Sequence, residues 1–71
     1  MKKYLIVIEK TDSGYSAYSP HLLGCVSTGL TRKEVELNMK EAIEFHLEGM
    51  KEEGYQIPEP LADSAYLEIA S

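Results

Sequence analysis

Two histidines, one cysteine and twelve carboxylates are the side chains through which this 71-residue chain could do acid, base, nucleophilic or metal chemistry. His21 and Cys25 stand four residues apart and would make a nucleophile pair only if the fold brought them into contact. Cys25, however, opens a predicted strand, where a cysteine more often serves as a small buried hydrophobe. His46 falls on the apolar stripe of a predicted helix. A general base needs a positioned substrate and partner groups, so His46 reads as a packed core residue. Glu34, Glu36, Glu41, Glu44, Glu48, Glu52 and Glu53 belong to that helix. Glu44 and Glu48 are neighbours there, but on a solvated face, without the burial that would split the pKa values of an acid–base pair. A two-metal nuclease site must hold its ions about 4 Å apart with several ligands. Glu9 on the first strand and Glu68 on the last are the strand candidates, too few unless Asp12 or helix residues join them. Closed zinc sites take about four ligands, and beyond carboxylates the chain offers Cys25, His21 and His46. Gly24, Gly29 and Gly54 are isolated, so no glycine-rich phosphate loop is present. No tryptophan occurs, and the five tyrosines are not interleaved with a basic run as in a nucleic-acid stacking platform. The expectation is a non-enzyme with no catalytic residue, cofactor or metal.

The elements that would position these residues are legible in pattern. Lys3 to Glu9 reads as a strand, its centre Tyr4-Leu5-Ile6-Val7-Ile8 rich in β-branched and aromatic residues. Thr11-Asp12-Ser13-Gly14 is a turn cluster in which Gly14 is expected to supply positive φ, and Tyr15 to Ser19 returns as a second strand. Pro20 ends it, since proline cannot donate to a ladder. After the apolar loop His21-Leu22-Leu23-Gly24, Cys25 to Thr28 forms a third strand closed by Gly29. Thr31-Arg32-Lys33-Glu34 is a capping box, and Leu30 is placed to staple onto Val35. The helix runs to about Glu53, with Gly54 as its stop and Pro58 and Pro60 barring its resumption. Tyr55 to Asp63 is an extended connector. Ser64 to Ala70 reads as a final strand, with Ala65, Leu67 and Ile69 alternating against Tyr66 and Glu68. The fold class is thus α+β, in the order β-β-β-α-β, an antiparallel sheet with one long helix on one face, forming a single domain over residues 1–71.

A chain this short buries little of its surface, and ordering costs about 1.5 kcal/mol per residue, close to what a small core returns. One cysteine permits no internal disulfide, so a homo-oligomer, dimer or tetramer, is the expected source of further stability. The net charge of −5 argues against a phosphate-backbone binder and suits a basic partner or plain solubility. Direct nucleic-acid binding is not expected. Met1-Lys2-Lys3 is basic, but the apolar run after it is too short for a signal peptide. No stretch approaches membrane-spanning length. A cytoplasmic location follows, in keeping with a lone cysteine.

The apolar faces outnumber the elements that could cover them. Val35, Met39, Ala42, Ile43, His46, Leu47 and Met50 share one helical arc. Leu37 falls nearly opposite, and Phe45 sits at the stripe's edge. On the first strand Tyr4, Ile6 and Ile8 point one way while Leu5 and Val7 point the other, yet one helix covers one face. The second cover is either the connector from Tyr55 to Leu61 or another chain. With the loop pair Leu22 and Leu23, the candidate partner or oligomer interface comprises Leu5, Val7, Leu22, Leu23, Leu37 and Phe45.

The run Tyr15-Ser-Ala-Tyr-Ser-Pro20-His-Leu-Leu-Gly24-Cys25-Val-Ser-Thr28-Gly29-Leu-Thr31 resembles the HicB antitoxin family. There a strand leads into a proline-containing apolar loop, Gly-Cys, Thr-x-Gly and a Thr-capped helix. Glu34-Val35, Asn38-Met39, Glu41-Ala42-Ile43-Glu44 and the segment from Gly54 through Ile57-Pro58-Glu59-Pro60 continue the likeness. The resemblance implies a partial ribonuclease-H-like fold without the nuclease's acidic site. It also implies a domain that neutralises a HicA-type toxin, a small basic RNA-cleaving protein, by masking its active surface. Family members often have an acidic residue where His21 stands and a proline where Leu23 stands, so their loop contacts are not carried over. Many members append a DNA-binding domain; this chain is expected to be a short form without one. The alternative is a stand-alone oligomeric protein of the same fold with a regulatory or small-molecule-binding role.

Overall fold

The structure, a computed structural model, describes residues 3–70; Met1 and Lys2 of the basic start, and Ser71, lie outside it. Strands β1 (Val7–Thr11), β2 (Gly14–Tyr18) and β3 (Val26–Gly29) precede one helix, α1 (Arg32–Glu52). The strands form an antiparallel sheet in the order β1-β2-β3. The first strand lies later than its composition predicts. Its pairing starts at Val7↔Tyr18, because Pro20 follows one residue after Ser19 and β2 has no more ladder to offer. The Leu5 carbonyl instead accepts the Ser19 hydroxyl at 3.0 Å. The strand then runs on to Thr11, leaving only Asp12 and Ser13 in the turn.

Gly14 does not have the positive φ expected of it; Gly24 and Gly54 are the glycines that do. Gly14 is needed for space, since a Cβ there would run into the Gly29 carbonyl oxygen. Gly29 in turn lets the sheet approach the helix start, where a Cβ would lie 2.6 Å from the Val35 nitrogen.

A two-residue turn makes Thr11 and Gly14 a hydrogen-bonded pair, and antiparallel pairing alternates from there. Val7, Glu9 and Thr11 therefore bond to β2, while Ile8 and Lys10 direct their N–H and C=O groups to the free edge. On β3 the same alternation points Val26 and Thr28 outward. That second edge is partly closed, because the Asn38 side-chain amide of α1 donates to the Thr28 carbonyl at 2.9 Å.

Helix α1 starts where its cap dictates. Thr31 is extended, and its hydroxyl accepts the Glu34 N–H at 3.1 Å. The reciprocal Glu34 half of the capping box is not made, and Leu30 stays exposed rather than stapling onto Val35. At the other end, Gly54 N–H bonds the Lys51 carbonyl and Tyr55 N–H the Met50 carbonyl at 2.9 Å. This is a Schellman closure, built on Gly54 at φ 79°. The helix packs chiefly on β3 and β2. Ala17, Leu22, Cys25, Val35 and Met39 are fully buried, with Tyr4, Ile6, Ile8, Tyr15, Ala42, Ile43 and Leu47 against them. Leu22, Val35 and Met39 each contribute about 1.5–3 kcal/mol by their burial. His46 and Met50 miss the core: both are half-buried beside a surface recess with Phe45 and Tyr55.

The predicted final strand is absent among the described residues: 64–70 have no secondary structure and are exposed throughout. The architecture is three strands followed by one helix. Alternation supplies strand propensity, but a strand exists only where an edge receives it. The Tyr4 hydroxyl donates to the Pro58 carbonyl at 2.8 Å, and the Ala62 N–H donates to His21 Nε2 at 2.8 Å. These bonds tie the connector to the residues before β1 and to the loop after β2.

Candidate partner-binding surface

Four surfaces meet around the domain, and a loop joins them. That loop, residues 19–25, is two successive turns. Leu22 N–H bonds the Ser19 carbonyl at 3.2 Å and Cys25 N–H the Leu22 carbonyl at 3.1 Å, while Ser19 N–H bonds the Cys25 carbonyl at 3.3 Å and closes the base. Gly24, at φ 80°, occupies the third position of the second turn, which demands a left-handed residue. The result splits the leucine pair. Leu22 is 2 % exposed and plugs the core, whereas Leu23 is 96 % exposed at the tip.

The outer face of the sheet carries the cross-strand row Val7–Tyr18–Val26. Val7 is half-buried, while Tyr18 and Val26 are exposed. The opposite face is not fully covered either. Because α1 lies over β3 and β2, a groove of about 720 Å³ opens between the helix and the start of β1, lined by Tyr4, Ile6, Met39, Ile43, Leu47 and Ile57 among others. The third surface is the far side of α1, where Leu37 is exposed and Phe45 is 80 % exposed. Glutamates outnumber basic residues seven to four over residues 32–53, so more than half of the net −5 sits on this helix together with its C-cap Glu53. Its Arg32–Glu36 pair, 3.2 Å apart, is exposed and worth at most a few tenths of a kcal/mol. The fourth surface is the segment after residue 62, where Tyr66, Leu67 and Ile69 are all exposed.

The six residues named from sequence therefore do not form one patch. Leu5 and Val7 are half-buried, Leu22 belongs to the core, Leu23 crowns the loop, and Leu37 and Phe45 stand on the helix. Sequence reasoning missed Tyr18 and Val26, although the period-two pairing with Val7 would have placed them on one face. It also missed the groove, whose signal was a helix stripe wider than a three-stranded floor requires.

The residues with chemical potential stay apart. Glu9 is exposed on β1, and Glu68 lies in the exposed segment beyond the connector. No group of three or more metal-ligating side chains forms among the described residues. Cys25 is buried, and its burial raises the thiol above its ordinary 9.0. His21 uses Nε2 as an acceptor for Ala62 and stacks edge-on against Tyr4, ring centroids 6.2 Å apart. Its Nδ1 is buried without a hydrogen-bond partner. The imidazole is thus a structural clamp between loop and connector. No described helix is long and apolar enough to cross a membrane.

Comparison with known proteins agrees with this absence of catalytic geometry. A family model described as the HicB_like antitoxin of bacterial toxin–antitoxin systems matches residues 4–68; its members are non-enzymatic antitoxins. An uncharacterized 14.9 kDa protein of Haemophilus phage HP1 is 49% identical over 55 residues, 78% of this chain and 41% of the phage protein. This chain thus spans about two-fifths of that relative's length. A UPF0150 protein of Thermoplasma acidophilum is 39% identical over 62 residues, 86% of this chain and 90% of its own. Among solved structures, a chain of a HicA3 and HicB3 toxin–antitoxin complex superposes with a TM-score of 0.73 at 37% identity, covering 84% of this chain and 70% of that one.

Proposed function

Because the chain belongs to the HicB-like antitoxin family, we propose that it binds a HicA-type toxin and masks the surface with which that toxin cleaves RNA. The observation that carries the reading is the likeness to a chain from a toxin–antitoxin complex. The surface of α1 supports it. Exposed Leu37 and Phe45 stand among glutamates, offering apolar anchors inside an acidic field that suits a basic partner. Such fields raise association rates and suppress wrong partners more than they add affinity. Inhibition on this reading is steric and electrostatic, with no turnover.

The test is co-expression with a small basic HicA-type toxin. The intact protein should relieve growth arrest and co-purify with the toxin. Phe45→Asp should abolish rescue while leaving the circular dichroism spectrum unchanged, because Phe45 packs into no core. Failure of the intact protein both to rescue and to form a complex would sink the reading.

A further inference from the structure

We infer that the recess at the C-terminal end of α1 takes up an arginine side chain from a basic protein partner. The inference rests on the reading that this chain binds such a partner, and it names the contact. The recess measures about 480 Å³ and is lined by Phe45, His46, Gly49, Met50, Glu53 and Tyr55. Both of its rings meet solvent, Phe45 at 80 % and Tyr55 at 62 % exposure. Tyr55 is held there by the helix stop, since its N–H bonds the Met50 carbonyl at 2.9 Å. A guanidinium plane stacks on such aromatic faces, and its fork of N–H donors fits a carboxylate, which Glu53 supplies in the same lining.

Charge is sorted around α1 in the same sense. At about 100° per residue, Glu41, Glu48 and Glu52 lie within about 60° of Phe45, and all three are exposed. The basic residues Arg32, Lys33, Lys40 and Lys51 lie about 120–140° round the axis from it. The recess also occupies the last turns of the helix, where the C-terminal carbonyls carry the negative end of the helix dipole. Both fields attract a cation, and an uncharged apolar side chain would gain from neither.

Gly49 is an independent sign of close approach. It lies inside α1, where glycine is less favourable than any residue but proline. Nothing within the described chain demands it: a Cβ there would meet no atom within 4 Å, and its φ is not positive. Its missing side chain instead leaves the floor of the recess open. A glycine allows a partner's side chain to reach the helix backbone there.

Two experiments at pH 8 and low salt test this. In the first, the nitrogen-15-labelled full chain is titrated with acetyl-Gly-Arg-Gly-Arg-Gly amide and, separately, with the same peptide carrying lysine for arginine. The arginine peptide should move the amide signals of Phe45, Gly49 and Tyr55 several-fold further than the lysine peptide, and Gly49→Leu should abolish the response at Phe45 and Tyr55. Equal shifts with both peptides, or shifts confined to other residues, would overturn the proposal. In the second, affinity for a small basic HicA-type toxin is measured. Gly49→Leu fills the recess with a good helix former, and Tyr55→Ala removes one wall outside the helix. Each should weaken binding about tenfold, as expected for loss of a central anchor contact, with helix content retained. Wild-type affinity in both variants would overturn the proposal while leaving toxin binding intact. If the wild type bound no toxin, the proposed function would fall, whereas the recess stands or falls on the peptide titration.

Discussion

Two seven-residue stretches lack regular structure, and they differ in almost every physical respect. Residues 19–25 bury Ser19, Leu22 and Cys25 and direct three backbone bonds inward, with a fourth from the Ser19 hydroxyl to Leu5. Residues 64–70 bury nothing, and among the described residues their hydrogen bond is the local one from Ser64 N–H to the Asp63 carboxylate. Irregularity is therefore no measure of looseness. What separates the two is whether backbone groups and apolar side chains find partners inside the same chain. The loop does so because Pro20 and Gly24 bend it back over the core. The tail does not: beyond the His21–Ala62 bond, residues 64–70 are exposed throughout.

The largest effect expected from this contrast is at Leu22. Leu22→Ala should cost about 2–5 kcal/mol in urea unfolding, as for other fully buried leucines. In a domain of this size that is most of the stability. A cost below 1 kcal/mol would mean the loop is not part of the core. Gly24→Ala should come next, at about 1–2 kcal/mol, because its φ of 80° is strained for any residue with a Cβ. Space is not the issue, since a Cβ there meets nothing within 4 Å.

Cys25 gives a pH-dependent readout of the same closure. Burial raises the thiol from 9.0, so the folded chain keeps its proton to higher pH than the unfolded one. The stabilisation is complete below that value and is lost as pH rises through the folded pKa. Iodoacetamide at pH 8 should label the native protein much more slowly than the protein in urea, and equal rates would show that the loop opens freely. The smallest effect belongs to the tail. Leu67 is 81 % exposed, so Leu67→Ala should change unfolding by less than about 0.5 kcal/mol. A cost matching that of Leu22→Ala would erase the contrast.

The residues differ in how openly they announce these roles. Thr31 and Gly54 mark the ends of α1 to within a residue, since both caps act on neighbouring backbone and need no distant partner. The stripe of Val35, Met39, Ala42, Ile43 and Leu47 was equally legible, because periodicity alone puts those residues on one side. Leu22 was not. It sits in a loop flanked by turn residues, and its burial depends on how two turns fold over a core made elsewhere. The candidate surface was read in fragments for a related reason. Leu37 and Phe45 betray exposure through helical phase, but the row joining Val7 to Tyr18 and Val26 takes shape only once register is set by the Asp12–Ser13 turn and the loop 19–25.

Local pattern, then, was enough to specify a hairpin, a third strand and a capped acidic helix, because each depends on residues a few positions apart. Strand pairing is different, since a strand is a relation between two backbones. Ser64 to Ala70 has the alternation of a strand, but among the described residues no strand of the sheet pairs with it, an outcome that only the long-range arrangement of the chain decides.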